Sequence, residues 1–389
     1  MSSTAPLPPV TLLGFPLHAT GRGEHIRAVW RALATAGVSA RIHNLEPRKA
    51  AEDPTLQERL GEFASKTVPA GIRLFHVNGD NIGVFAAALR KRRTGYFRLR
   101  NTFTAGYNIV YPAWELPRYP APWARDLEQF DEVWAASDFV YDAIRAAVRR
   151  PVSHIPNACE PHITTPLDRS HFGIPADRFA ILFFFDFRSY SVRKNPAAVI
   201  KAFRQLREAR PGANVQLVLK FHHATREPGA AAELAAAATA FGDRVSIIDG
   251  TLSNNESWNL VRCCDCFLSL HRSEGFGRGP AEAMFFGKPV IATGWSGNME
   301  YMLPDNSFPV RYRLIPVGAD EYPFPQGQVW AEPDVDHATE LLIQVIDDPS
   351  FARLVGERAQ AHMRANYSDL VLGARYRARF ERIASDKSF

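Results

Sequence analysis

Ser273-Glu274-Gly275-Phe276-Gly277-Arg278-Gly279-Pro280-Ala281-Glu282-Ala283-Met284 sets two carboxylates on either side of a glycine-rich turn. The apolar run from Cys266 to Leu270 just before it reads as a buried strand. Three glycines let the backbone turn tightly, and Pro280 suits the first turn of a helix. The segment is therefore strand, loop, helix, with Glu282 expected in the first helical turn. Unpaired N–H groups at such a helix start lie at the positive end of the dipole and make a ready site for phosphate. Carboxylates repel phosphate, so Glu274 and Glu282 need another reason to stand there. Accepting hydrogen bonds from sugar hydroxyls is such a reason, and a nucleotide sugar carries both groups. The plainer alternative is that Glu282 complements the dipole and Glu274 is a loop charge.

A second segment agrees with the first. Phe187-Arg188-Ser189-Tyr190-Ser191-Val192-Arg193-Lys194-Asn195-Pro196 follows the apolar run Phe179 to Phe185 and precedes an amphipathic stretch, Ala197 to Leu206. This is again strand, basic loop, helix. Arg188 and Lys194 become fixed cations at the carboxyl end of a strand, where open α/β sheets place their ligands. They could neutralise a diphosphate leaving group. A solvated basic loop is the alternative.

These residues resemble the retaining glycosyltransferases of family four, which carry two Rossmann-like domains in the B-type fold. The resemblance covers most of the chain. It is strongest from Phe183 to Tyr301, where the Arg-x5-Lys-Asn-Pro element, the Glu-x7-Glu element and Gly287-Lys288-Pro289-Val290-Ile291-Ala292-Thr293 occur in the family's order. It implies that Arg188 and Lys194 hold the donor diphosphate, that Glu282 binds the ribose hydroxyls and that Glu274 binds the transferred sugar. Gly275, Phe276 and Gly277 belong to the same donor-binding turn. In the family an apolar residue commonly follows that turn, and here it is Arg278, which could be a third cation beside the phosphates or a contact to the acceptor.

Strand-like runs alternate with helical patterns twice along the chain, which predicts parallel sheets covered on both faces. Val10 to Phe15, Ile72 to Val77, Tyr107 to Tyr111, Asp131 to Ala135 and Val152 to Ile155 form the first series. Phe179 to Phe185, Val215 to Lys220, Val245 to Ile248, Cys266 to Leu270 and Pro289 to Ala292 form the second. A proline-rich passage, Pro156 to Pro175, separates them. The expected class is α/β, two Rossmann-like doubly wound domains facing a cleft: 1–165 on the acceptor side, 166–367 for the nucleotide sugar, and a terminal helix, 368–389, that in the family packs back on the first domain. Asp334-Val335-Asp336 precedes a helical pattern and is read as a cap at Asp336 rather than a metal motif.

At 389 residues the chain exceeds what one compact core usually holds. Its net charge of +5 suits anionic partners without choosing among them. Neither a signal peptide nor a membrane span is expected, which predicts a cytoplasmic protein. Cys263, Cys264 and Cys266 are read as small buried apolar residues, and no metal is expected. Arg90 to Arg100 holds six cations with Tyr96 and Phe97 between them, a stretch able to rest on anionic lipid at the inner face of the cytoplasmic membrane. A solvated loop is the alternative. Nucleic acid is not expected, because no recognition module accompanies the charge.

In the first domain the loop from Gly14 to Gly23 leads into a helix from Glu24 to Ala36, and Gly21 and Gly23 are the expected close contacts to the donor. Its spacing is not that of a dinucleotide fingerprint, which argues against an oxidoreductase. Trp114 and Glu115, in a proline-bounded loop after a strand, are a candidate acceptor platform, with Asn78 and His18 as weaker candidates. The alternative is a tryptophan that fills the core. Lys220 and Gly250 follow strands where the base should lie. Neither selects a base, and a GDP-sugar is placed ahead of UDP- or dTDP-sugar.

The expected activity is metal-independent transfer of a sugar from a nucleoside diphosphate sugar to a glycan or glycolipid hydroxyl, with retention, in bacterial polysaccharide, lipopolysaccharide or glycolipid assembly. Retention rests on the resemblance, and no cofactor is expected. A sugar-nucleotide epimerase and a noncatalytic partner subunit of the same fold are the alternatives.

Overall fold

The computed structural model describes residues 7–46, 51, 53–59, 61, 68–82 and 106–387. The chain divides into two compact units, Met1–Cys159 with Asn366–Phe389, and Glu160–Ala365. The basic stretch Arg90 to Arg100 lies outside the described residues.

The first unit is built on six parallel strands: β1 (Val10–Gly14), β2 (Ala40–Asn44), β3 (Ile72–Phe75), β4 (Tyr107–Val110), β5 (Glu132–Ala135) and β6 (Val152–His154). They lie in the order β2-β1-β3-β4-β5-β6. Val10 pairs with Ala40 on one side and Ile72 on the other, so the order reverses beside β1. β1, β3, β4 and β5 are buried throughout, as strands covered on both faces must be. The terminal helix Asp369–Asp386 belongs to this unit and lies along the helix Gly21–Thr35, with Thr35 Oγ1 donating to Asp369 O at 3.1 Å. Its Tyr376 and Phe380 rings stack on Trp134 at 5.8 and 5.6 Å. Arg379 closes the contact by donating to the fully buried Glu132 at 3.0 and 2.8 Å.

The second unit repeats the plan with β7 (Phe179–Asp186), β8 (Val215–His222), β9 (Val245–Asp249), β10 (Cys266–Ser269), β11 (Val290–Thr293) and β12 (Phe308–Val310), in the order β12-β11-β10-β7-β8-β9. Phe183, Phe185, Leu217 and Leu219 face the helix Pro196–Ala209 through Val199, Phe203 and Leu206, and the helix Val335–Asp347 through Leu342, in one core. The chain runs from β7 outward through β8 and β9, then returns to β10 on the other side. β7 and β10 are therefore the neighbours at which the order reverses, and ligands of such sheets bind in the crevice their carboxyl ends leave there. A short antiparallel pair, β13 (Tyr312–Pro316) and β14 (Val329–Pro333), is added after β12.

Two details differ from the sequence reading. The capping residue of the helix Val335–Asp347 is Asp334, whose carboxylate accepts from His337 N at 3.1 Å, while Asp336 accepts from Gln205 at 2.8 Å. Glu282 is the fifth residue of the helix Arg278–Phe285, past its first turn, because the helix begins directly after Gly277. The cysteines are free and buried, and burial pushes the Cys264 and Cys266 thiols up. Among the described residues no helix is long and apolar enough to cross a membrane.

Candidate functional site

The turn quoted at the outset leaves the end of β10 and delivers the chain to the helix Arg278–Phe285. Gly277 is the N-cap residue, with φ of 82°, and a side chain there would meet Tyr301 Oη at 2.8 Å. Gly277 has no side chain to cap this helix start, which is the positive end of the helix dipole. The same point lies 3.6 Å from Glu274 Cγ, which puts the carboxylate beside the helix start. Glu274 is fixed by its own backbone: its N–H donates to Ser296 Oγ at 2.9 Å and its carbonyl accepts from Gly297 N at 2.8 Å.

The loop after β7 supplies the cations. Lys194 donates to Glu274 Oε1, and Arg193 Nη1 lies 3.3 Å from Oε2. Arg193 also donates to the carbonyls of Ser273 at 2.7 Å and Ser189 at 3.2 Å, so one guanidinium ties both loops together. Burial alone would raise the Glu274 carboxyl, but Lys194 and Arg193 hold it at about 2. It is a carboxylate at every physiological pH. Tyr190, Asn195 and Ser296 adopt left-handed φ of 63°, 55° and 76°, backbone strain gathered in these loops.

Arg278 reaches forward one turn and donates to Glu282 Oε1 at 2.8 Å, in a pair whose side chains are 13% and 10% exposed. Gly275 is buried, and Phe276 is buried with its ring 5.2 Å from Tyr301. Arg188 is exposed in the short turn Phe187–Ser189. Lys220, near the end of β8, is buried beside His222 Nδ1 at 2.9 Å, and burial lowers its pKa to about 8. Gly250 N donates to Phe221 O at 3.0 Å just past β9.

In the first unit the named residues are used differently. Trp114 is 1% exposed, packed edge-on against Tyr119 and Trp123, with Nε1 donating to Arg118 O at 3.1 Å. Its faces are enclosed by neighbours, so the expectation of a stacking platform is corrected to a core residue. Glu115 beside it is partly exposed. Asn78 accepts from Ala113 N at 3.0 Å and so holds this loop. His18 lies 2.9 Å from a Glu46 oxygen and stacks on Phe15. A side chain at Gly23 would meet His18 O at 2.0 Å, so that glycine is required by the chain's own packing, whereas Gly21 faces open space.

The sequence reading passed over three residues here. Arg193 is adjacent to Lys194 in a basic loop, where sequence alone does not single it out. His271 is fully buried, bonded to Ser269 Oγ at 3.0 Å and Asn298 Oδ1 at 2.9 Å, and burial lowers its pKa to about 4. Ser296 carries no signal in a single sequence beyond its place before Gly297.

A family model described as Glycosyl transferases group 1 matches residues 167–362. The chain is 30% identical over 190 residues to a GDP-mannose-dependent monoacylated alpha-(1-6)-phosphatidylinositol monomannoside mannosyltransferase of Corynebacterium glutamicum, an alignment covering 47% of this chain and 42% of that relative. Among solved structures it is similar to sucrose-phosphate synthase from Thermosynechococcus elongatus, with a TM-score of 0.69 at 16% identity over 98% of this chain and all of the other. It is also similar to Anabaena HepE in complex with UDP and glucose, with a TM-score of 0.66 at 16% identity over 96% of this chain and all of the other. These likenesses show the GT-B fold of two Rossmann-like domains.

Proposed function

Because the chain belongs to the family of group 1 glycosyl transferases, we propose that it moves a sugar from a nucleoside diphosphate sugar to an acceptor hydroxyl with retention of configuration. The observation that carries this reading is the cluster at the reversal of the second sheet: Glu274, oriented from its backbone and held by Lys194 and Arg193, beside a helix start with no side-chain cap.

Chemically, the difficult event is departure of the diphosphate. Charge grows on its oxygens as the glycosidic C–O bond breaks, and preorganised donors that meet the charge lower the barrier. In this reading Lys194, the exposed Arg188 and the positive end of the helix after Gly277 do that work without a metal ion. Glu274 accepts from the hydroxyls of the transferred sugar and Glu282 from the ribose. Gly275 and Phe276 shape the turn, and Lys220 and Gly250 stand toward the base. Retention follows if the leaving oxygen takes the acceptor's proton on the face it departs from.

A GDP-sugar comes first as donor, supported by the GDP-mannose named for the Corynebacterium relative. UDP-sugars come second, supported by the UDP bound in HepE. A glycan or glycolipid acceptor follows from the lipid substrate named for the same relative. With Arg90 to Arg100 resting on anionic lipid, the protein would act at the inner face of the cytoplasmic membrane.

The test is release of nucleoside diphosphate from GDP-, UDP- and dTDP-sugars, with and without lipid extract, in wild type and Lys194→Ala. Removing a charge-assisted contact worth ~1.5–3 kcal/mol should lower rate or affinity roughly ten- to hundredfold while circular dichroism is unchanged. Conversion of donor to an isomer without acceptor would make the protein an epimerase. Silence throughout, with no thermal stabilisation by any nucleotide, would make it a noncatalytic subunit.

A further inference from the structure

One cluster of ligating side chains in the second unit is left unused by this chemistry. β7 ends in Asp186 and β8 ends in His222, and the two are paired in the parallel register of the sheet, with His223 next along the chain. Asp186 Oδ2 lies 3.1 Å from His222 Nε2, and Oδ1 lies 2.9 Å from His223 Nδ1. One ligand atom from each of the three falls within 4.8 Å of the others.

Two observations separate this cluster from an ordinary pair of histidines on a carboxylate. His222 is 9% exposed, yet its Nε2 makes no hydrogen bond: the distance to Asp186 is that of a hydrogen bond and the alignment is not. A nitrogen and an oxygen therefore face each other at hydrogen-bonding distance in a poorly aligned contact. His223, moreover, is held at φ of 60°, in the left-handed region, and its ring lies edge-on to that of His222.

We propose that Asp186, His222 and His223 bind one divalent transition-metal ion of the zinc or cobalt type, through His222 Nε2, His223 Nδ1 and a carboxylate oxygen. Bonds of about 2.0–2.1 Å set neighbouring ligand atoms of a tetrahedral centre about 3.3 Å apart, and the three ligand atoms here, within 4.8 Å of one another, reach that spacing by small side-chain shifts. Two imidazoles and one carboxylate favour a borderline ion over magnesium or calcium, which take oxygen ligands. Lys220, 2.9 Å from His222 Nδ1, is the second neighbour of the centre. With Nε2 on the ion, Nδ1 carries the proton, so Lys220 must turn aside or shed one of its own. The site's effect is positioning, since Asp186 Oδ1 also accepts from Arg188 N at 2.9 Å and an ion on this carboxylate would fix the start of the basic loop.

The test uses the full chain, stripped with a chelator, titrated with Co2+ without nucleotide and followed by visible absorption, with Zn2+ as competitor. Wild type should bind at micromolar concentration, and Asp186→Asn and His223→Gln should each bind one ion fewer per chain or at least tenfold more weakly. Zn2+ should raise the melting temperature of wild type and not of His223→Gln, as a ligand of the folded state alone must. If a variant fails to fold, His222→Gln replaces it. Unchanged binding in folded variants, or no saturable binding by wild type below millimolar Co2+, overturns the proposal. Because no sugar nucleotide is present, the result is independent of the transferase reading.

Discussion

At the carboxyl end of β3 the imidazole of His76 is buried against His25 and Tyr111, with ring centroids 4.6 and 5.8 Å away. At the carboxyl end of β10 the imidazole of His271 is equally buried, but both its nitrogens are hydrogen bonded, and its partner Asn298 also meets Ser296, which holds the backbone of Glu274. The two sheets follow one plan and place a histidine at the corresponding rim. In the first unit burial serves packing, since Nε2 of His76 finds no hydrogen-bond partner. In the second it serves orientation, as links in a chain that ends on a carboxylate. A shared architecture thus predicts where residues stand and not what they do.

Acid is the strongest way to probe that contrast. Burial lowers His76 to about 3 and His271 to about 4, against an ordinary value of 6.5. The unfolded chain takes up these protons first, so stability is full above pH 6.5 and falls as the pH drops toward 4 for His271 and toward 3 for His76. Between pH 7 and 4.5 each imidazole should remove about 2–3 kcal/mol, on the order of 5 kcal/mol together. Glu274, held at about 2, keeps its stabilising charge over that range and loses it only as the pH falls from ordinary carboxyl values toward 2. Urea unfolding at the two pH values checks this. His76→Gln and His271→Gln should each remove about half of the difference, and a flat profile would mean that the rings are hydrated.

Trp114→Ala comes next. A tryptophan 1% exposed and enclosed by aromatic rings should take about 3–5 kcal/mol of stability with it. Sugar transfer by the remaining folded protein, assayed well below its melting temperature, should keep its acceptor KM. A small stability change with a raised acceptor KM would restore the platform reading and erase the difference between the two units.

How far the residues could be read in advance follows the same division. β7 and β8 were legible because strands buried on both faces are continuous apolar runs. β2 was not, since Ala40–Asn44 is an edge strand bearing Arg41 and His43, and neither was β12, whose three residues include Pro309. Proline is tolerated there only because an edge strand needs no second row of hydrogen bonds. Glu274 and Lys194 were legible because a carboxylate beside a glycine turn and a lysine before Asn-Pro are unusual local patterns. Ser296, His271 and Asn298 were not, because their role depends on neighbours more than twenty residues apart that only the folded sheet brings together. Trp114 failed for the converse reason: stacking and core filling ask for the same residue.

The smallest predicted effect concerns Arg278, the residue that follows the glycine turn. Its pair with Glu282 is worth more than the ~0.3–0.5 kcal/mol of an exposed helix pair because both side chains are mostly buried, yet it stays near 1 kcal/mol since the partner is one turn away on the same helix. Arg278→Ala should therefore weaken donor binding only about fivefold, by freeing the Glu282 carboxylate from its fixed orientation. The comparison of ligands is what decides the mechanism. With Glu282 in its proposed role on the ribose, an arginine that acts through it affects the ribose end, so affinity for a nucleoside monophosphate and for the full sugar nucleotide should fall by the same factor in calorimetric titration. An arginine that reaches the diphosphate would spare the monophosphate and weaken the sugar nucleotide alone. The 2.8 Å bond to Glu282 favours the first outcome, since a guanidinium aimed forward along its helix is turned from the helix start where the phosphates would sit.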